Sequence, residues 1–148
     1  MPARRSWTPR RDLSRREQSR LELTRKLCER GLAADEVEAA VEKLAKDGWQ
    51  DDARFAQFLL RSRVSGGYGP IRIRAELATH GLDREAISSA LAEFDGDWAE
   101  NARDLVLRRY GPHVAANPAL HRKAAEFLLR RGFDGDCARS ATRLASEG

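Results

Sequence analysis

The residues best suited to chemistry in this chain are arginines on both sides of a glycine-rich link at residues 66–69. The candidate contact residues of this segment are Arg61, Arg63, Tyr68, Arg72 and Arg74. A planar guanidinium binds a carboxylate or a phosphate through two parallel hydrogen bonds. We therefore interpret the segment as a basic turn between two helices, with Tyr68 at the turn. It would contact phosphates or the carboxylates of a partner. The alternative is a solvated face on which Glu76 and nearby acidic residues pair with the arginines.

A second set of arginines occurs in pairs, late in two helical patterns that follow the link. These residues are Arg108, Arg109, Arg130 and Arg131. We interpret them as a second contact patch, separate from the first. Two separated patches would contact neighbouring subunits of one assembly, and binding through both would gain avidity even if each contact were weak.

The residue types needed for catalysis are present but are not arranged for it. His80, His113 and His121 form no recognisable zinc-binding motif, so we expect no metal site. The glycine-rich link lacks the Lys-Ser/Thr ending of a phosphate-binding loop and follows a helical pattern. The adjacent carboxylates of Asp51 and Asp52 are explained by a helix cap. We therefore predict a non-enzymatic protein without a metal or cofactor.

Positive charge is concentrated at the start of the chain. The formal net charge is +4, yet residues 1–20 contain seven arginines against two acidic residues, so the remainder is about neutral. The candidate DNA-binding residues are Arg4, Arg5, Arg10, Arg11, Arg15 and Arg16. A basic arm is a common contact for polyanions. The composition leaves open the alternative that residues 1–13 are a disordered tail that only keeps the protein soluble.

Cysteine use and hydropathy indicate a cytoplasmic protein. Cys28 and Cys137 lie within helical patterns, where we expect small buried hydrophobic residues rather than a disulfide. Residues 1–20 contain no apolar signal-peptide core. No apolar stretch is long enough to cross a bilayer.

The elements that must position these residues follow an internal repeat of about fifty residues. Gly31, Gly81 and Gly132 are 50 and 51 residues apart, and each follows a leucine by four residues and precedes an apolar residue. Glycine takes the left-handed conformation that ends a helix. Apolar residues at spacings of three and four mark one buried face on each helix. The repeat therefore predicts a helix, a glycine cap, a second helix and a third helix.

The predicted fold is all-α, with tandem three-helix repeats that form an elongated, curved helical array. The eight predicted helices cover residues 14–30, 34–47, 51–65, 70–80, 83–95, 97–110, 117–131 and 134–146. The predicted repeats cover residues 14–66, 67–113 and 114–148, and the last repeat is shortened. Ser14 with Glu17 has capping-box spacing ahead of the first helix. The predicted caps of later helices are Asp51 or Asp52, Asp83, Asp97 and Asn117. Trp49, Phe55 and Leu59 are predicted to lie in the core.

Five segments of the chain form a recognisable series. They are residues 14–17, GWQDDARFA at 48–56, GYGPIRIRAEL at 67–77, DWAENARDLVLRRYG at 97–111 and EFLLRRGF at 126–133. In this order and at these separations they resemble the RecX family of bacterial recombination regulators, over about residues 14–145. The resemblance implies a curved all-helical protein of three tandem three-helix motifs, in agreement with the repeat found independently.

The resemblance also implies a partner and an activity. Members of the family bind the RecA recombinase, dock in the groove of its filament on single-stranded DNA, and inhibit its ATPase, strand-exchange and coprotease activities. The family has no catalytic residues to carry over, so ATP hydrolysis would belong to the partner. We therefore expect a monomeric regulator of the RecA filament, with a helical module that acts directly on DNA as the alternative.

Overall fold

The computed structural model describes residues 16–147, with side chains through Arg143, and this range contains eight α-helices and one 3-10 helix but no strand. The helices are α1 (Arg20–Glu29), α2 (Ala34–Lys46), α3 (Asp52–Ser65), α4 (Pro70–Thr79), α5 (Arg84–Ala92), α6 (Trp98–Tyr110), the 3-10 helix (Val114–Ala116), α7 (Pro118–Arg130) and α8 (Gly135–Glu147). The predicted all-α class is confirmed. Apart from the start of α1, the predicted helix ends agree with the observed ends to within three residues.

The three repeated glycines end their helices as predicted. Gly31, Gly81 and Gly132 have φ values of 85°, 81° and 96°, in the left-handed region that glycine enters without a steric penalty. The residue after each glycine donates its backbone N–H to the leucine carbonyl five residues earlier, as from Leu32 to Leu27 (3.4 Å). This hydrogen bond folds the chain back onto the helix that has just ended.

Polar side chains cap most helix starts as predicted, but the first predicted cap is wrong. The confirmed caps are Asp51, Asp83, Asp97 and Asn117. The capping box of α1 is formed by Ser19 and Glu22; residues 16–19 are not helical, and Ser14 itself lies outside the described residues. Both serine–glutamate pairs have the required spacing, but only Ser19 stands one turn before the buried Leu23. The helix therefore begins where its buried face begins.

Apolar residues pack into three cores, which define three units. The first unit is α1 and α2, around Leu23 and Val41. The second unit is α3, α4 and α5, around Phe55 and Ile73. The third unit is α6, α7 and α8, around Val106. Counted from α6, this unit contains three helices. The repeat boundaries predicted at residues 66 and 113 place α3 and α6 each at the end of a repeat. These boundaries remain a prediction.

Neighbouring units meet through two equivalent joints at opposite ends of α4. In the first joint, Ser19 is hydrogen-bonded to Nδ1 of His80, the C-cap of α4 (2.7 Å). In the second joint, Gly69, the N-cap of α4, donates its backbone N–H to the carbonyl of Arg131, the C-cap of α7 (2.7 Å). Ser19 and Gly69 occupy the same position in the repeat, as do His80 and Arg131. The first and third units therefore lie at opposite ends of the second, which gives an elongated array.

One of the three residues predicted to lie in the core is found at the surface. Trp49 is 42% exposed, so its predicted core position is wrong, whereas Phe55 and Leu59 are buried as predicted. The neighbouring Gln50 fills the inner side of that loop, because its Nε2 donates to the Gln18 carbonyl (3.2 Å).

The cysteines also differ from expectation in part. Cys28 is exposed, so the prediction that it is buried is wrong, and Cys137 is half-buried. Cys28 directly follows the buried Leu27, and the helical rotation of 100° per residue turns its side chain away from the core. Neither cysteine forms a disulfide.

Candidate partner-binding surface

Tyr68 lies at the second joint, and two arginine side chains stack against its ring. The guanidinium carbons of Arg72 and Arg131 lie 4.3 Å and 4.7 Å from the ring centroid. Cations at this distance are attracted by the negative face of an aromatic ring. Arg131 also donates a hydrogen bond from Nη1 to the Gly66 carbonyl (3.1 Å). The ring therefore holds two like charges close together at the surface.

The glycines of the link allow α4 to begin directly against the end of α7. The backbone N–H groups of Gly69 and Ile71 donate to the carbonyls of Arg131 (2.7 Å) and Gly132 (2.9 Å). A Cβ on Gly69 would lie 2.6 Å from the backbone of Gly132, and a Cβ on Gly132 would lie 2.7 Å from the backbone nitrogen of Arg72. No side chain fits into this contact, so both glycines are needed for it.

A second aromatic ring extends the stack along α7. The guanidinium carbons of Arg109 and Arg131 lie 4.6 Å and 5.1 Å from the ring centroid of Phe127. Tyr110 packs edge to face on the same ring, with 5.9 Å between the centroids. The arginine–aromatic cluster is defined as Tyr68, Arg72, Arg109, Phe127 and Arg131. It joins residues of the link, α4, α6 and α7 in one surface.

Arg63 and Glu76 form an ion pair beside the arginine–aromatic cluster. Nε of Arg63 lies 2.8 Å and 3.0 Å from the two carboxylate oxygens of Glu76. The same carboxylate lies 4.0 Å from Nε of Arg72. The hydrogen bond to Glu76 raises the pKa of the Arg63 guanidinium above its ordinary value. The alternative interpretation is a solvated face on which acidic residues pair with the arginines. It therefore holds for Arg63 and in part for Arg72.

The two patches expected from the sequence are not separate, so that hypothesis is wrong. Arg131 of the second patch stacks on the same ring as Arg72 of the first. Arg108 lines a small cavity of about 70 Å³ together with Tyr68 and Asp104. The patches meet because the second joint places the end of α7 at the base of the link.

Three of the candidate contact residues lie apart from the cluster. Arg61 is exposed and lines a shallow groove with Arg54. Arg74 donates a hydrogen bond to Oγ of Ser88 on α5 (3.3 Å). Arg130 is exposed at the end of α7. A partner-binding role for any of these residues stays a prediction.

Much of the positive charge on this surface is not neutralised by the described part of the chain. The ion pairs there are Arg63–Glu76 and Arg72–Glu76. Among the side chains described, which end at Arg143, no ion pair is formed by Arg108, Arg109, Arg130 or Arg131. Fixed positive charges without internal counter-charges favour an anionic partner.

The candidate DNA-binding arginines fall mostly outside the described residues. Those outside are Arg4, Arg5, Arg10, Arg11 and Arg15. Arg16 lies inside, where it forms an ion pair with Glu22 and donates to the Glu17 carbonyl (2.9 Å). A role in DNA binding stays a prediction for all six.

Sequence reasoning missed three residues of this surface. Phe127 has the spacing of a core residue, and the pattern did not reveal that its ring also carries two arginines. The separation of four residues between Phe127 and Arg131 was a usable signal, because residues at this spacing are neighbours on a helix. Ile71 and Leu129, which are 54% and 51% exposed, gave no signal because apolar residues in helices are usually buried.

The geometry of the described residues supports binding of an anion. Among the described residues, no group of His, Cys, Asp and Glu side chains could hold a metal ion. In the same range, no helix combines the length and the apolar content needed to cross a membrane.

Two family models match consecutive parts of the chain. The second three-helix domain of RecX matches residues 51–91, and the third three-helix domain of RecX matches residues 95–142. The first range covers α3, α4 and all but the last residue of α5, and the second covers α6, α7 and the first eight residues of α8. In each case the three helices share one core.

Curated relatives match nearly the whole chain. Regulatory protein RecX of Xanthomonas oryzae pv. oryzae (strain PXO99A) is 58% identical over 135 residues, which cover 91% of this chain and 83% of that protein. Regulatory protein RecX of Stenotrophomonas maltophilia (strain R551-3) is 60% identical over 131 residues, which cover 88% and 80%.

Solved structures have the same fold. The crystal structure of RecX from Lactobacillus salivarius aligns with a TM-score of 0.76 at 21% identity, over 93% of this chain and 92% of that chain. A second crystal structure, of a regulatory protein RecX, aligns with a TM-score of 0.70 at 27% identity, over 86% of this chain and 64% of that chain.

Proposed function

The chain belongs to the RecX family, and on that premise we propose that it binds the RecA recombinase and its filament on single-stranded DNA. Binding inhibits the ATPase, strand-exchange and coprotease activities of RecA and so modulates recombination, DNA repair and the SOS response. In this proposal the chain performs no catalysis of its own and acts as a cytoplasmic monomer.

The observation that supports this proposal most directly is the arginine–aromatic cluster. Family membership suggests which partner is bound, and the cluster suggests where. Arg109 and Arg131 are held by aromatic rings and form no ion pair with the rest of the described chain, so they are ready to contact carboxylates of a partner. An elongated array of three units also exposes a long face, which suits a polymeric partner better than a small substrate.

The proposal is tested by measuring the DNA-stimulated ATPase rate of RecA while the protein is titrated. The expected result is a rate that falls as the protein approaches stoichiometric concentration. An unchanged rate at saturating protein would contradict the proposal. The charge-reversal pair Arg72→Glu with Arg131→Glu is expected to abolish most of the inhibition.

A matched control keeps the change in net charge constant. Arg25 and Arg84 are exposed residues of α1 and α5, and neither belongs to the arginine–aromatic cluster. The pair Arg25→Glu with Arg84→Glu is therefore expected to inhibit like the unaltered protein. Equal loss in both pairs would mean that net charge matters and that the cluster does not.

The second candidate function is direct binding to DNA, favoured by the surplus of arginines in residues 1–20. Each phosphate neutralised contributes about −0.7 to the slope of log affinity against log salt on single strands. Deletion of residues 2–13 removes four of the arginines. If DNA binding is lost while RecA inhibition survives, the DNA contact is accessory. The opposite pattern would favour DNA as the target.

A further inference from the structure

Two exposed apolar side chains lie at the second joint. Ile71 is 54% exposed and Leu129 is 51% exposed. Ile71 belongs to the first turn of α4 and Leu129 to the last turn of α7. The two helix ends are joined by the hydrogen bond from the Ile71 N–H to the Gly132 carbonyl (2.9 Å). In the described part of the chain, Trp49 is the other large hydrophobic residue with comparable exposure, and it lies in the first unit.

The same joint carries the arginine–aromatic cluster, so the helix ends that meet there bear both apolar and cationic side chains. Arg72 directly follows Ile71, and its guanidinium stacks on Tyr68 beside that of Arg131. Leu129 is exposed in the last turn of α7, the helix that Arg131 caps. An apolar contact gains free energy when a partner removes it from water, and the arginines add direction because they bind carboxylates in a fixed geometry.

We infer that the second joint is a docking site for a protein segment that carries apolar side chains next to carboxylates. This inference rests on the proposed function, because it assigns the part of the protein that contacts the RecA filament. Ile71 and Leu129 receive the apolar side chains of the segment. Arg72, Arg109 and Arg131 receive its carboxylates.

The geometry favours a protein segment over a nucleic acid at this joint. Single-stranded nucleic acids bind through bases that stack on free aromatic faces. Here the guanidinium groups of Arg72 and Arg131 stack on the ring of Tyr68. Those of Arg109 and Arg131 also lie against the ring of Phe127. Phe127 is also only 6% exposed. Exposed Ile71 and Leu129 would gain nothing from phosphates.

The test compares two affinities of the full chain: for a RecA filament assembled on poly(dT), and for poly(dT) alone. The double variant Ile71→Ser with Leu129→Ser is expected to bind the filament about tenfold more weakly, a loss typical of removing two partly buried contacts. Its affinity for poly(dT) is expected to stay unchanged. Because both side chains are exposed, the variant is expected to keep the circular dichroism of the unaltered protein.

Trp49→Ser is the matched control, because it removes an exposed hydrophobic residue from the first unit. It is expected to leave both affinities unchanged. Arg109→Gln tests the carboxylate contacts: it is expected to weaken filament binding about fivefold and to lower its salt dependence.

The outcomes separate this inference from the proposed function. If the unaltered protein binds the filament and the Ile71/Leu129 variant binds equally well, the docking site is refuted while the proposed function stands. Parallel loss of poly(dT) binding would assign the joint to nucleic acid and also overturn the inference. If the unaltered protein does not bind the filament at all, the proposed function fails and the inference fails with it.

Discussion

Tyr68 illustrates how one side chain fixes the position of two others. Its ring stacks with Arg72 and Arg131, which come from helices of two different units. Each such contact contributes about 0.5–1 kcal/mol at an exposed site. Arginines that are already held in place lose less side-chain entropy when they bind. The effect of Tyr68 on a partner is therefore expected to pass through the two arginines.

Tyr68→Ala is expected to raise the concentration needed for half-inhibition of the RecA ATPase about tenfold, because two stacking contacts are lost. Tyr68→Phe keeps the ring and is expected to stay within about twofold of the unaltered protein. The measurement is the DNA-stimulated ATPase rate at increasing protein concentration. An equal loss in the Phe variant would mean that the hydroxyl group matters and not the ring.

Trp49 and Phe55 are predicted to differ strongly in their effect on stability. Phe55 is 1% exposed and Trp49 is 42% exposed. Phe55→Ala is expected to lower the free energy of unfolding by about 3–5 kcal/mol, and Trp49→Ala by about half of that or less, because much of its side chain is already in water. Urea denaturation of both variants measures these changes. A cost for Trp49→Ala close to that for Phe55→Ala would show that the tryptophan has a buried role.

The two cysteines are predicted to react at different rates with iodoacetamide. Burial raises the pKa of the Cys137 thiol, and the nearby carboxylates of Asp134 and Asp97 raise it further. The thiolate is the reactive form, so a raised pKa lowers the reactive fraction near neutral pH. Cys28 is exposed and is expected to react about tenfold faster than Cys137.

Single-cysteine variants make the comparison direct. Cys137→Ser leaves Cys28 as the target, and Cys28→Ser leaves Cys137. The rate for Cys137 is expected to rise with pH beyond the range in which an unperturbed thiol levels off. Equal rates for the two variants at neutral pH would contradict the burial of Cys137.

At the scale of elements, the repeated glycines have different environments although they have the same role. Gly31 and Gly132 both have positive φ values, 85° and 96°. A Cβ on Gly31 would meet no atom within 4 Å, whereas one on Gly132 would lie 2.6 Å from Cβ of Arg72. The difference arises because a neighbouring unit docks on Gly132, while no described residue packs on Gly31.

Gly132→Ala is therefore expected to be more damaging than Gly31→Ala. Both variants place a side chain in the left-handed conformation, which costs about 1–2 kcal/mol. Gly132→Ala must in addition displace the backbone of α4, which adds about 1–3 kcal/mol. Thermal or urea unfolding of the two variants checks the difference. Equal destabilisation would show that the backbone at the second joint shifts at little cost in free energy.

Helices and their caps were predictable from the sequence because their signals are local. The glycine spacing gave the three helix ends, and Asp51, Asp83 and Asn117 gave three of the starts. The second joint was not predictable, since Gly69 and Gly132 are far apart in sequence and no local pattern pairs them. For that reason the arginine sets on each side were interpreted as two patches, although they form one surface.

At the scale of the whole molecule, the first joint contains a hydrogen bond between two side chains, whereas the second is built on backbone hydrogen bonds. Ser19 both caps α1 and contacts His80, with distances of 3.1 Å to the Glu22 nitrogen and 2.7 Å to Nδ1. Loss of Ser19 therefore removes a cap and a contact between units. Asn117 caps α7 without belonging to either joint, and it provides a matched control.

Ser19→Ala is expected to lower the free energy of unfolding by about 2 kcal/mol, of which the cap accounts for about half. Asn117→Ala, which loses a cap alone, is expected to cost about 1 kcal/mol. A double-mutant cycle of Ser19→Ala with His80→Ala isolates the joint and is expected to give a coupling energy of about 1 kcal/mol. A coupling energy near zero would mean that the Ser19–His80 contact does not hold the units together.

Helix α4 connects the two joints directly. Its ten residues (Pro70–Thr79) span about 15 Å, and an α-helix of this length bends little compared with a loop. A change of angle at the Ser19–His80 contact is thus transmitted through α4 to the contact between Gly69 and Gly132. If the protein binds a filament as proposed, the spacing at which its outer units meet that filament is therefore set largely by the length of one short helix.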